Sequence, residues 1–131
     1  MWSNRKKAPA IRSLIGEGMQ FRGEVRFADG LRIDGEVDGD VIAADGPSIL
    51  VISEKARVHG KVKAAHVIIN GEVRGPVFSD ELLELQPKAR VTGDVRYEVL
   101  EMHPGAMIDG ELRPLKAAEK PALKLAASND S

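Results

Sequence analysis

The chain has no cysteine, so neither a disulfide framework nor a thiolate metal centre can be built from it, a composition compatible with a reducing cytoplasm. Aromatic residues are scarce. One Trp, one Tyr and three Phe give no basis for a broad aromatic-lined ligand pocket. No apolar run approaches the ~18 residues that a membrane-spanning helix needs. The stretch after Arg5-Lys6-Lys7 is broken by Pro9 and Arg12 before a secretory apolar region could form. A net charge of −1 argues against nucleic-acid binding driven by global charge. Gly16-Glu17-Gly18 is followed by another glycine only at Gly23, and no Lys-Ser or Lys-Thr closes a phosphate loop. Ser13, Ser48, Ser53 and Ser79 have no base placed to activate them. No catalytic residue and no cofactor is expected.

What the chain does have is a repeated phrase, glycine, any residue, then Val or Leu. It occurs as Gly23-Glu24-Val25, Gly39-Asp40-Val41, Gly60-Lys61-Val62, Gly75-Pro76-Val77, Gly93-Asp94-Val95 and Gly110-Glu111-Leu112. The spacing is uneven but centres on about 17 residues, and a recurrent period of that kind marks a solenoid. Longer phrases also repeat. Leu31, Ile33, Gly35, Val37, Gly39, Val41 maps position for position onto Val67, Ile69, Gly71, Val73, Gly75, Val77. Leu50, Ile52, Ala56, Val58, Gly60, Val62 maps in the same way onto Leu83, Leu85, Ala89, Val91, Gly93, Val95, and once more onto Leu100, Met102, Ala106, Ile108, Gly110, Leu112. Alternating apolar and polar positions indicate strands with one buried face. No helical spacing interrupts them.

A unit of this length is too short for a βαβ crossover, which takes roughly 30 residues, and suits one coil of a β-helix. Recurrent glycines belong at bends, where backbone conformation or crowding excludes a side chain. Glu54, Pro87 and Pro104 mark a second bend column. The expectation is an all-β single domain of six coils, residues 17–30, 31–46, 47–65, 66–80, 81–98 and 99–115. Residues 1–16 and 116–131 are expected to be flexible tails. The inward column should run from Met19, Phe21, Val25 and Phe27 through Leu31, Ile33, Val37 and Val41 to Leu100, Met102, Ile108 and Leu112.

Charge is unevenly distributed. Residues 1–16 carry Arg5, Lys6, Lys7 and Arg12 and no acid, while residues 23–46 carry seven acids and two arginines. The acidic phrases there lack the paired glycines and nine-residue period of calcium-binding β-rolls, so bend chemistry accounts for them. Alternation directs His59, His66 and His103 outward. His66 and His103 would lie on the order of 10 Å apart, far beyond the reach of one zinc ion whose ligands sit about 2 Å away, so no metal site is expected.

Met1-Trp2-Ser3 with Arg5, Lys6 and Lys7, the linker phrase Ala10-Ile11-Arg12-Ser13-Leu14-Ile15-Gly16-Glu17-Gly18, and six coils of the glycine phrase together resemble the bactofilin family over residues 1–115. The resemblance implies a right-handed parallel β-helix that polymerises end to end, without nucleotide, into non-polar filaments. It further implies a scaffold on the inner face of the cytoplasmic membrane that positions cell-wall synthesis or remodelling enzymes, or other bactofilins. Met1, Trp2, Arg5, Lys6 and Lys7 would then contact membrane lipid. Met19, Phe21, Val25 and Phe27 would form the N-terminal joint, and Leu100, Met102, Met107, Ile108 and Leu112 the C-terminal one. Members can carry an aromatic near the tip of the last coil, where this chain has Ile108. The alternative is a trimeric acyltransferase of the left-handed β-helix kind, which expects hexapeptide punctuation in every coil and fits the uneven glycine spacing poorly.

Overall fold

Residues 9–115 are described by the structure, a computed structural model, and contain strands and no helix. The short or terminal strands are β1 (Ser13–Ile15), β2 (Gln20–Arg22), β4 (Glu36–Asp38), β6 (Arg57–His59), β8 (Glu72–Arg74), β10 (Arg90–Thr92), β12 (Met107–Asp109) and β13 (Leu112–Pro114). Between them run the long strands β3 (Val25–Ile33), β5 (Val41–Ile52), β7 (Val62–Ile69), β9 (Val77–Leu85) and β11 (Val95–Met102). Every pairing is parallel. The chain alternates between a seven-stranded sheet, β1-β3-β5-β7-β9-β11-β13, and a six-stranded sheet, β2-β4-β6-β8-β10-β12. This is a β-solenoid of six coils, a rod on the order of 25–30 Å long.

Each long strand turns a corner midway, seen as a register shift between Phe27 and Asp29, Ile42 and Ile49, Ala64 and His66, and Tyr97 and Val99. Its two halves and the short strand give each coil three sides. The corner breaks strict alternation and would strand backbone groups inside. Ser48 and Ser79, both buried, answer that need: the Ala65 amide donates to Ser48 Oγ at 2.9 Å, and Ser79 Oγ donates to the Ala65 carbonyl at 2.8 Å. The longest interval, from Gly39 to Gly60, also originates at a corner, where Ala44, Asp45, Gly46 and Pro47 bulge outward, all exposed.

The phrases that repeat two coils apart reflect two kinds of coil. Coils containing Asp34-Gly35 and Asn70-Gly71 pass from long to short strand through a tight bend. Those containing Glu54-Lys55, Pro87-Lys88 and Pro104-Gly105 use a wider turn. Like coils therefore match at two-coil spacing in the middle of the chain, and the last two coils, both wide, match each other directly.

The repeated glycines stack in one column. Gly23, Gly39, Gly60, Gly75, Gly93 and Gly110 all have positive φ, from 126° to 159°. A Cβ on any of the upper five would strike the glycine directly beneath; at Gly93 it would sit 2.6 Å from the Gly75 carbonyl oxygen. Close approach of successive turns is thus the main reason for the repeat.

The core is a file of aliphatic side chains, with Ile33, Leu50, Ile52, Val58, Val62, Val67, Ile69, Val73, Val77, Leu83, Leu85 and Val95 fully buried. The ladder begins at Ser13, ahead of the expected start of the solenoid at residue 17. Ser13–Ile15 pairs with Leu31–Ile33, and Ile15 is buried. The reason is physical: the second coil's long strand would otherwise present an unpaired edge over its apolar half. Met19, Phe21, Met102 and Leu112, expected inward, are exposed. They belong to the first and last coils, which have a neighbour on one side only.

Candidate functional site

Position by position, the last coil repeats the fifth without its cover. Leu85 is 0% exposed while Met102, its ladder partner, is 44% exposed; Val95 is 0% and its partner Leu112 is 44%. Leu100 and Ile108 are half-buried above the fully or nearly fully buried Leu83 and Val91. Burial pushes the Tyr97 hydroxyl pKa above its ordinary value of 10.0. Strands β12 and β13 each have a partner on one side only, so their outer N–H and C=O groups lack a ladder.

The first coil is the better-covered end. Ile15 and Phe27 are buried, Val25 is half-buried, and only Phe21, above which Val37 is 2% exposed, opens a core position to solvent. Phe27 lines the core and Met19 lies in the turn, exposed, its sulfur 3.2 Å from the Gly16 amide nitrogen. Strands β1 and β2 and the first half of β3, Val25 to Phe27, are unpaired edges here among the described residues. Of the residues singled out for the C-terminal joint, Leu100, Met102, Ile108 and Leu112 come together on one apolar end. Met107 points outward instead, in ladder with the exposed Arg90. Pro114 and Ala106, which also border this end, were not singled out. Met1, Trp2, Arg5, Lys6 and Lys7 lie outside the described residues.

The three sides differ chemically. On the short-strand side, outward residues form charged ladders, such as Glu36, Arg57, Glu72 and Arg90. His59 bonds Glu72 across 3.1 Å, and with Arg74 and Arg57 nearby this holds the Glu72 carboxyl below its ordinary 4.5. Arg57, Glu72, Arg90 and Met107 also line a shallow charged groove. The first halves of the long strands carry Arg26, Lys63, Arg96 and Arg113 outward, with Ile42 and Phe78 between. The second halves carry mainly apolar residues. His66 lies among these, its Nε2 buried and without a hydrogen-bond partner. His103 Nε2 is 3.3 Å from Glu84 Oε2, and with Glu101 these ligand atoms lie within 4.8 Å of one another. Comparison of the histidines with each other alone could not reveal that grouping, because its other members are glutamates on adjacent coils.

The all-parallel six-coil ladder, with an apolar core row left uncovered on its last coil, places the chain among the β-solenoids. The chain belongs to the bactofilin family, described as polymer-forming cytoskeletal, whose sequence profile it matches over residues 13–113. It is 24% identical over 108 residues to bactofilin BacO of Myxococcus xanthus strain DK1622, covering 82% of this chain and 83% of that protein. It is also similar to the chain in a cryo-EM reconstruction of Thermus thermophilus bactofilin double helical filaments, with a TM-score of 0.71 and 29% identity over 79% of this chain and 99% of that one.

Proposed function

We propose that this chain is a non-enzymatic cytoskeletal scaffold that assembles end to end, without nucleotide, into non-polar filaments on the inner face of the cytoplasmic membrane, where it positions cell-wall synthesis or remodelling proteins. The observation that carries the polymer is the uncovered core row, half-buried Leu100 and Ile108 with exposed Met102 and Leu112, beside the unpaired edges of β12, β13 and the second half of β11. Contact of like ends, C to C and then N to N, is isologous at each joint and continues indefinitely because the two joints use different surfaces. The Thermus thermophilus filaments support the assembly, and their double helical form supports side-by-side association of two filaments as well. Membrane contact rests on Trp2 beside Arg5, Lys6 and Lys7, since each cation near an anionic surface contributes about 1 kcal/mol and Trp favours the headgroup layer.

The test is negative-stain microscopy and sedimentation of the full chain with Ile108→Arg or Leu112→Arg. A charge buried in the joint costs several kcal/mol unless it finds a partner, so filaments should shorten to dimers or small oligomers with β-rich circular dichroism retained. Assembly of the parent in nucleotide-free, chelator-containing buffer is expected. Long filaments in both variants would remove the C-terminal joint from the proposal, and a nucleotide requirement would overturn the assembly mechanism.

A further inference from the structure

The outward positions on the second halves of the long strands fall into two ladders. One reads Leu14, Arg32, Val51, Ile68, Glu84, Glu101 in coil order. The other reads Arg12, Gly30, Ile49, His66, Leu82, Val99, with Gly30 buried beneath the backbone of Ala10 and Ile11. The middle of this side, Ile49, Val51, His66, Ile68 and Leu82, is apolar apart from one imidazole. Val99 extends it at 53% exposure. Among the described residues no other side of the rod has a contiguous apolar patch: the short-strand side is mostly charged, with Met107 its lone large apolar residue, and on the remaining side Ile42 and Phe78 are separated by Arg26, Lys63, Arg96 and Arg113. From Ile49 to Val99 the patch runs three ladder steps, about 14 Å. A flat apolar sheet face of this kind marks an interaction surface.

The ends of the same face differ in charge. Arg12 and Arg32 stand at the N-terminal end, bonded to Asp29 and Asp34 at its rims but with their side chains 71% and 52% exposed. Glu84 and Glu101 stand side by side in the ladder at the C-terminal end, with His103 at the rim on Glu84. A two-fold axis parallel to the strands and midway between the third and fourth coils maps Val51 onto Ile68, Ile49 onto His66, and Arg32 onto Glu84. Two antiparallel copies therefore meet apolar centre to apolar centre, with Arg32 of each opposite Glu84 of the other. A parallel face-to-face pair would instead gather both copies' Glu84 and Glu101 at one end, where like charges repel.

We infer that this face is the lateral interface between two filaments, occupied by a second copy of the chain in antiparallel orientation. The inference rests on the end-to-end assembly proposed above. One patch of this size falls well short of the ~1,200 Å² total of a stable interface, so isolated subunits do not pair through it. A filament presents the patch at every subunit on a rigid rod, which makes later contacts effectively intramolecular and lateral pairing a consequence of polymerisation.

The experiment uses full-chain filaments imaged by negative stain, scored for paired against single filaments. Ile68→Lys and Glu84→Arg change outward positions and leave the core file intact. Each is expected to lower the paired fraction about tenfold or more while filament length is unchanged, and Arg32→Glu combined with Glu84→Arg should restore pairing. Single filaments in the parent, or paired filaments persisting in both variants, overturn the lateral interface and leave the end-to-end scaffold standing. Failure of the parent to form any filament overturns both. The rival occupant is the chain's own N-terminal residues, since Arg12 N–H bonds the Gly30 carbonyl and residues 1–8 precede this point. A Trp2 fluorescence shift on Ile68→Lys without loss of pairing would assign the patch to that segment and overturn the proposal.

Discussion

At the residue scale the fold is a set of positions where only one kind of side chain fits. The glycine phrase and the inward column were readable because both repeat at every coil, so that six instances of one environment appear in one sequence. Ser48 and Ser79 were not readable in that way. Their burial follows from a corner that interrupts alternation, and a serine in an alternating strand otherwise looks like any solvated position. The stacking of Gly93 on Gly75 gives a direct prediction. Gly93→Ala places a Cβ 2.6 Å from a carbonyl oxygen at a φ of 136°, whereas Gly46→Ala, at a φ of 98° with nothing within 4 Å, meets backbone strain alone. Strain of this kind costs about 1–3 kcal/mol, so Gly93→Ala should lose about 3–4 kcal/mol and Gly46→Ala about 1. Thermal unfolding of both in the Leu112→Arg background, at one protein concentration, checks the difference; equal losses would mean that close stacking contributes nothing.

At the scale of the strand, register is held by core stacking inside and by charge ladders outside. The alternation of apolar and polar residues predicted the strands, but it could not reveal that Glu36, Arg57, Glu72 and Arg90 would stand in one line, because that depends on how many residues each bend consumes. Asp34 is held below its ordinary 3.8 by the Ser53 hydroxyl and by Arg32, and Glu72 below 4.5 by His59, with Arg74 and Arg57 assisting. Both carboxyls bind a proton more weakly in the folded chain than in the unfolded one. Their stabilisation is complete above their unfolded pKa values and is lost as pH falls below about 4.5 through the depressed folded values. The expected outcome is a melting temperature that drops between pH ~5 and ~2, and a shallower drop in Asp34→Asn with Glu72→Gln, which should also be less stable at neutral pH. Parallel curves for parent and variant would show that these bonds do not set the acid limit.

At the scale of the molecule the two ends are unequal, and this was legible only in part. The sequence placed apolar residues at both ends, but which of them the neighbouring coil covers is a tertiary property: Phe27 closes the first coil while Met102 and Leu112 remain open on the last. The larger open row makes the C-terminal joint the stronger expected contact. Polymerisation in turn decides what the N-terminal residues can do. As a membrane anchor of the kind proposed, one Trp2 with three cations would give a single chain only marginal, reversible affinity. A rod carrying many such segments gains avidity of about 10²–10⁴ over one, without any new contact. Membrane binding should therefore need both the peptide and the polymer. In co-sedimentation with anionic liposomes, deletion of residues 1–7 is expected to abolish binding while filaments persist, and Leu112→Arg to bind weakly with its N-terminus intact. Flotation on a density gradient separates liposome-bound protein from filaments that sediment by themselves. Equal flotation of truncated and full-length chains would show that the basic, Trp-bearing segment is no anchor.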